Sequence, residues 1–115
     1  MRIHIKNLRL RTLIGIFDWE REHKQDVVVN VRIDFDGATA AASDQIKDTV
    51  DYKTITKRII GLVEAAEFYL VERLADRILQ LIMDDQKVQR AEVEVDKPQA
   101  LRFADSVSVT CSAER

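Results

Sequence analysis

The chain has 115 residues, of which 46% are hydrophobic and 33% are charged, and its formal net charge is -2. This composition is typical of one globular domain, residues 1–115, and it argues against disorder. A net charge so close to zero does not indicate binding to nucleic acid or to an anionic membrane. No apolar run approaches the ~20 residues that span a bilayer, and the N-terminus alternates instead of forming a signal core, so we expect a cytoplasmic protein.

Metal-binding residues are scarce in this sequence. It contains one cysteine, Cys111, and two histidines, His4 and His23. A single cysteine excludes an intrachain disulfide, and its phase with Val107 and Val109 favours buried packing over a reactive thiol. No His-x-His or Cys-x-x-Cys spacing and no calcium-loop pattern occurs. We therefore predict no metal and no other cofactor.

Two strands are predicted at the beginning of the chain. The first is Ile3–Leu13, and its apolar phase changes around Asn7, which predicts a β-bulge there. A loop through Gly15 and the charged run Asp18–Lys24 then leads to a second alternating strand, Val27–Phe35. We expect these two strands to form an antiparallel pair with a long connection.

The middle of the chain has helical periodicity. A first helix is predicted from the apolar spacing that begins at Ile55, with Asp48, Thr49 and Asp51 available as N-terminal caps. A break near Phe68 separates it from a second helix. The apolar stripe of that second helix consists of Val71, Leu74, Ala75, Ile78 and Ile82.

Two further alternating strands, Val88–Val95 and Val107–Cys111, follow the helices. The order β-β-α-α-β-β predicts an α+β architecture in which two helices cover one face of an antiparallel sheet. The other face is polar and is expected to meet water; its side chains are Asn30, Arg32, Asp34, Glu92, Glu94, Ser106 and Ser108. Edge strands of such a sheet carry unpaired backbone groups, which a barrel built from several copies would satisfy. A monomer with a solvated sheet face is an equal alternative on these features.

Five segments, in order and at compatible separations, give the chain a specific resemblance. They are Leu13–Glu20, Gln25, Thr49–Tyr52, Leu70–Ala75 and Val95–Lys97. With them the chain resembles the family of dihydroneopterin aldolases and dihydroneopterin triphosphate 2′-epimerases over nearly its whole length. The resemblance implies the tunnelling fold (T-fold), in which four subunits close a β-barrel and two rings commonly stack into an octamer. It also implies pterin sites between neighbouring subunits.

Glu72 is the residue that the resemblance assigns to pterin recognition, with Val71 beside it in the substrate-binding set. A pterin presents a 2-amino group next to a ring N–H, and a carboxylate accepts this pair of donors in bidentate fashion. The alternative interpretation of Glu72 is an acidic residue in the first turn of a helix, stabilised by the helix dipole.

Lys97 is the predicted catalytic acid/base, acting directly or through a bound water. A Schiff-base lysine is the competing mechanism. It is disfavoured because protonation at N5 makes the neighbouring C=N of the dihydropterin an electron sink. Without the resemblance, Lys97 would be interpreted as a strand-end lysine whose stem packs while its amine reaches water.

Glu20 and Tyr52 match family positions that line the site, and we include them in the catalytic set. Glu20 would accept hydrogen bonds from the substrate hydroxyls, and Tyr52 would donate a phenolic hydrogen bond or stack on the ring. Tyr52 is the better candidate to serve a neighbouring subunit's site. The alternatives are a solvated glutamate and a tyrosine that packs at a helix entry. Gln25 also matches, but the sequence assigns it no role.

Retention of the cleaved fragment distinguishes the two activities of the family, and a triphosphate tail would help to retain it and would need cationic partners. Arg9, Arg11 and Arg102 are the candidates, although basic residues on strands are commonly solvated. The segments around them resemble the epimerases. Aldolases usually have Pro-Gly after the lysine and Val-Gly in the last strand, where this chain has Pro98-Gln99 and Val107-Ser108.

The resulting interpretation is an epimerase that inverts carbon 2′ of 7,8-dihydroneopterin triphosphate by retro-aldol and aldol steps, giving 7,8-dihydromonapterin triphosphate. The alternative is a 7,8-dihydroneopterin aldolase that releases glycolaldehyde and 6-hydroxymethyl-7,8-dihydropterin, which the segment Phe17–Glu20 favours. A non-catalytic pterin-binding barrel is a second alternative. It does not account for four residues that scaffolding does not require: Glu20, Tyr52, Glu72 and Lys97. The small-molecule pterin and further copies of the chain are the expected partners.

Overall fold

A five-stranded sheet organises the fold. The computed structural model describes all 115 residues, Met1–Arg115. The strands are β1 (Arg2–Ile14), β2 (Gln25–Phe35), β3 (Glu67–Phe68), β4 (Val88–Lys97) and β5 (Val107–Glu114). They lie in the order β3-β1-β2-β4-β5, and every pair is antiparallel except the short parallel contact between β3 and β1.

Four helices accompany the sheet, and one face of it is covered by the two long ones. The helices are α1 (Asp18–Glu22), α2 (Ala38–Ser43), α3 (Tyr52–Ala65) and α4 (Val71–Met83), with a 3₁₀ turn at Ile46–Asp48. Of the three predicted caps, Asp51 is the N-cap of α3, and its carboxylate accepts hydrogen bonds from the backbone N–H groups of Lys53 and Thr54 at 3.1 Å each. None of the helices combines the length and the apolar character needed to cross a membrane.

The core lies between the sheet and helices α3 and α4. Twenty buried hydrophobic residues form one cluster. Strand β2 contributes its alternate residues, Val27, Val29, Val31, Ile33 and Phe35. Helix α4 contributes Leu74, Ala75, Ile78, Leu79 and Ile82. Burying each of the larger side chains contributes about 1.5–3 kcal/mol, so this cluster holds the strand ends in place. The intervening residues of β2 remain partly exposed, as the alternation predicts.

The predicted β-bulge is confirmed. The pairing of β1 with β2 shifts between Ile5 and Leu8, and Asn7 has a φ of 53°. Asparagine tolerates this left-handed conformation better than most residues. The backbone N–H of Asn7 donates to the side-chain oxygen of Asn30 at 2.9 Å. The extra residue keeps the apolar side chains before and after it on the core face.

The predicted element order is incomplete in three places. The run predicted as a loop contains α1, the segment after β2 contains α2 and the 3₁₀ turn, and the break at Phe68 is strand β3. The sheet is therefore mixed and not wholly antiparallel. These elements have two to six residues. They are too short to show a repeat in sequence, and contacts with the rest of the fold decide their conformation.

Candidate active site

A pocket of about 370 Å³ lies where β1 and β4 end and where α1 and α4 begin. Strands β1 and β4 both pair antiparallel with β2, so their carboxyl ends flank the beginning of β2. This topology brings residues from distant parts of the chain together at one end of the sheet, where these strands begin or finish. The pocket is lined by Glu20, Gln25, Val71, Glu72 and Lys97, together with apolar residues from the same segments.

A buried ion pair forms the floor of the pocket. Lys97 Nζ lies 2.6 Å from Glu20 Oε2, and the two side chains are only 13% and 6% exposed. Gln25 Nε2 donates to the same oxygen at 3.1 Å, and the Phe17 backbone N–H donates to Oε1 at 3.2 Å. Both carboxylate oxygens are therefore satisfied, which is the condition under which a buried charge is tolerated. Gln25 thus gains the structural role that the sequence did not assign.

The hydrogen bonds determine the ionisation of Glu20. Burial by itself would raise the pKa of this carboxyl, but the hydrogen bonds from Lys97, Gln25 and Phe17 and the positive charge of Lys97 outweigh it. The pKa of Glu20 is held below its ordinary value. Near neutral pH the site therefore contains a carboxylate whose oxygens are aligned by donors, and an amine directed by that carboxylate.

Gly15 makes room for the ion pair. Its φ of +128° is a conformation that residues with a side chain rarely adopt. A Cβ atom built on Gly15 would lie 2.2 Å from Glu20 Cδ and 2.3 Å from Oε2. The Glu20 carboxylate therefore packs directly against the backbone at the end of β1, and only glycine permits this contact.

Arg21 connects the two walls of the pocket. Its guanidinium donates to the carbonyl of Gly15 at 3.1 Å and to the carbonyl of Phe68 at 2.9 Å. It also lies over the ring of Tyr69, 4.2 Å from the ring centroid. Arg21 thus links the segment before α1, which carries Glu20, to the segment before α4, which carries Glu72.

The pocket also has exposed apolar lining residues, namely Phe17, Trp19, Tyr69 and Leu70. Flat apolar side chains next to a few directed polar groups suit a planar heteroaromatic ligand. Glu72 is exposed in the first turn of α4. Its side chain makes no hydrogen bond within the chain, so its carboxylate is available to such a ligand.

Four predicted residues lie elsewhere. Tyr52 is the first residue of α3 and is not among the residues that line the pocket of its own chain. Arg9 and Arg11 lie on the polar face of β1 and line cavities that adjoin the pocket. Arg102 lies in the loop between β4 and β5, 5.7 Å from the ring centroid of Phe103.

The site offers two carboxylates and one amine as its charged groups. This set can accept paired N–H donors and can move a proton. No group of three or more His, Cys, Asp or Glu side chains is arranged to hold a metal ion, and the absence of a metal in the working protein stays a prediction.

The fold and the sequence together define the class of protein. Residues 3–112 match the family described as FolB, dihydroneopterin aldolase. The chain belongs to the dihydroneopterin aldolase family. It also has the fold of Escherichia coli dihydroneopterin aldolase, solved in complex with neopterin, with a TM-score of 0.93 and 30% identity over 98% of each chain.

Two bacterial relatives are considerably more similar than the aldolases. The dihydroneopterin triphosphate 2′-epimerase of Pseudomonas aeruginosa is 50% identical over 114 residues, covering 99% of this chain and 93% of the relative. The protein of the same name from Escherichia coli K12 is 48% identical over 113 residues, covering 98% and 94%. The Escherichia coli K12 dihydroneopterin aldolase is 32% identical over 107 residues, covering 93% and 88%.

We expect Gly15→Ala to disrupt the site, because the added Cβ collides with the Glu20 carboxylate and strains the backbone. The variant should lose about 2 kcal/mol or more of stability, measured by urea unfolding. Gly61→Ala is the matched control. Gly61 is an exposed residue inside α3 with open space at its Cβ position, and this change should stabilise the helix by up to about 1 kcal/mol. Equal behaviour of the two variants would contradict the packing described for Gly15.

We expect the contribution of Glu20 to stability to depend on pH. Because the folded-state pKa of Glu20 is lowered, the contribution is fully present above the unfolded carboxyl pKa of about 4.3 and is lost as the pH falls through the lower folded-state pKa. Near pH 7, Glu20→Gln should cost about 3 kcal/mol, since it leaves Lys97 buried and unpaired. Urea unfolding at several pH values should show this difference shrinking below about pH 4.

The control for this measurement is Glu92→Gln. It removes a partly exposed pair whose Arg32–Glu92 distance is 3.8 Å, so it should cost less than about 1 kcal/mol. If Glu20→Gln lowered the free energy of unfolding by the same amount at neutral and at acidic pH, the ion pair would not be the source of the lost stability.

Proposed function

We propose that this chain is a pterin epimerase that converts 7,8-dihydroneopterin triphosphate into 7,8-dihydromonapterin triphosphate by inverting carbon 2′ of the side chain. The observation that carries the chemistry is the buried Lys97–Glu20 ion pair in a pocket that also presents Glu72. The relatives with 50% and 48% identity favour the epimerase over the aldolase.

Glu72 binds the pterin ring in this proposal. Its carboxylate accepts the ring N–H and the 2-amino group together, a directional pair of charge-assisted hydrogen bonds. Val71 lies beside it, and Phe17, Trp19 and Tyr69 provide apolar surface for the ring. This orientation directs the side chain of the substrate towards Lys97 and Glu20.

Lys97 moves the proton. Once the ammonium of the ion pair has given up its proton, the amine takes the proton of the 2′-hydroxyl, directly or through a water molecule, and the bond between carbons 1′ and 2′ breaks. The electron pair of that bond passes into the C=N group at the protonated N5, which leaves an enamine-type pterin and an aldehyde. The aldehyde turns its other face, the carbon–carbon bond forms again, and the proton returns. Glu20 orients the amine and accepts hydrogen bonds from the side-chain hydroxyls.

Retention of the aldehyde separates the two activities. An aldolase protonates the pterin fragment and releases the aldehyde, whereas an epimerase keeps it in place. The aldolase relative at 32% identity and the segment Phe17–Glu20 support a residual aldolase activity in this chain. Arg9, Arg11 and Arg102 are the predicted cations that would keep the triphosphate fragment bound.

The functional assembly in this proposal is a ring of four copies or an octamer of two rings. Strand β5 pairs only with β4, and β3 covers only Leu13 and Ile14 of β1. The sheet therefore has two long free edges, which neighbouring copies can pair to close a barrel lined by the polar face. Such a ring would bring Tyr52 of one copy to the pocket of the next. The cytoplasmic location stays a prediction from the sequence.

Product analysis tests the reaction. Purified protein incubated with 7,8-dihydroneopterin triphosphate should yield mainly the 2′-epimer by chromatography. Lys97→Ala should lower kcat by about 10²-fold or more, the range for loss of a general acid/base, while pterin binding persists. Predominant release of an aldehyde and 6-hydroxymethyl-7,8-dihydropterin would assign the aldolase reaction instead, and undiminished turnover by the variant would refute the role of Lys97.

Mixed oligomers test whether Tyr52 serves a neighbouring copy. Lys97→Ala and Tyr52→Ala should each be nearly inactive alone. Random co-assembly of the two variants should restore on the order of a quarter of wild-type activity, because one in four interfaces then joins an intact Lys97 to an intact Tyr52. Co-expression with two affinity tags provides the mixed species. A mixture no more active than its components would rule out sharing of the site.

A further inference from the structure

A groove leads out of the site pocket along the polar side of the sheet. Its first part, of about 220 Å³, shares Trp19, Gln25 and Gln99 with the pocket and adds Arg11 and Lys24. Its second part, of about 290 Å³, continues past Arg11 to Arg9 and Pro98. The pocket and the two parts of the groove are thus joined by common lining residues.

The charge changes sign along this path. The pocket contains two carboxylates, Glu20 and Glu72, and one amine. The groove contains three cations and a single carboxylate, Asp26. This local positive charge lies on a chain whose formal net charge is -2. A ligand with one neutral end and one polyanionic end would therefore enter with the anionic end in the groove.

The two cations nearest the pocket are held loosely enough to bind a ligand. Arg11 Nε lies 3.3 Å from Asp26 Oδ1, and one terminal nitrogen donates to the carbonyl of Lys24 at 2.9 Å. These contacts orient the guanidinium and leave its other terminal nitrogen free. Lys24 Nζ has one long contact, 3.5 Å to the carbonyl of Glu64. Phosphate oxygens form shorter, charge-assisted hydrogen bonds than this one.

We propose that the groove binds the oligophosphate arm of the substrate, with Lys24 and Arg11 as its principal ligands. This inference rests on the function proposed for the pocket. It assigns a role to Lys24, which the sequence did not single out, whereas Arg102 lines neither the pocket nor the groove of its own chain. After cleavage between carbons 1′ and 2′, the aldehyde carries the phosphates. The groove therefore retains the fragment that an aldolase would release.

The test compares two substrates that differ only in their phosphates. For Lys24→Gln, the ratio of KM for 7,8-dihydroneopterin triphosphate to KM for 7,8-dihydroneopterin should rise about tenfold, the loss of one charged hydrogen bond. The fraction of triphosphate turnover that ends in a released aldehyde should also rise. Lys24→Arg keeps the charge and should restore both quantities. An unchanged ratio for Lys24→Gln would overturn the assignment.

Lys57→Gln is the matched control, because Lys57 is exposed on α3 and belongs to neither the pocket nor the groove. It removes the same charge from the chain, so a similar rise in the ratio would attribute the effect to net charge and reject the groove. Thermal unfolding of each variant verifies that the fold is intact.

Calorimetry with inorganic tripolyphosphate separates this inference from the proposed reaction. Wild-type protein should bind it, and Lys24→Gln should bind it about tenfold more weakly. If that difference is found while no epimer forms, the groove is a phosphate-binding site and the proposed reaction is wrong. If epimer forms but tripolyphosphate binds the two proteins equally, the groove assignment fails and the reaction stands.

Discussion

The buried contact between Lys97 and Glu20 is the interaction on which the rest of the site depends. Removing two charges from water costs several kcal/mol for each ion, and an ion pair recovers this only with good geometry and additional hydrogen bonds. Here Gln25 and the backbone N–H of Phe17 donate hydrogen bonds to the Glu20 carboxylate, and Gly15 leaves space for it. The ends of β1 and β4, helix α1 and the first residue of β2 are consequently constrained together.

The sheet makes this convergence possible. Glu20 and Lys97 are 77 positions apart, and they meet because β1 and β4 flank β2 in the same direction. The apolar cluster under the sheet fixes these strands and so positions Lys97 at the end of β4, while Glu20 on α1 is held by its hydrogen bonds to Lys97, Gln25 and Phe17. The pocket with its two carboxylates and the groove with its three cations adjoin at this end of the sheet, and in the proposed function this contrast in charge would orient a substrate that has a neutral ring and an anionic arm.

Periodicity explains which elements could be predicted. The long strands and helices α3 and α4 repeat their apolar residues over several turns or pleats, and the phase change at Asn7 locates the bulge. Helix α1 and strand β3 are too short to leave such a pattern. Four residues assigned from the resemblance, Glu20, Val71, Glu72 and Lys97, line one pocket. Their catalytic and binding roles stay predictions.

The sequence by itself determined the α+β architecture, the polar and apolar faces of the sheet and the family, because these depend on local patterns and short segments. Only the tertiary structure decided how the side chains combine. The contacts of Arg21 with Phe68 and of Lys24 with Glu64 left no signal in the sequence, since each joins segments far apart in the chain. Gln25 matched the family, but only the structure showed that it donates to Glu20. Tyr52 does not line the pocket of its own chain, so its predicted role at a pterin site would require a second copy of the chain.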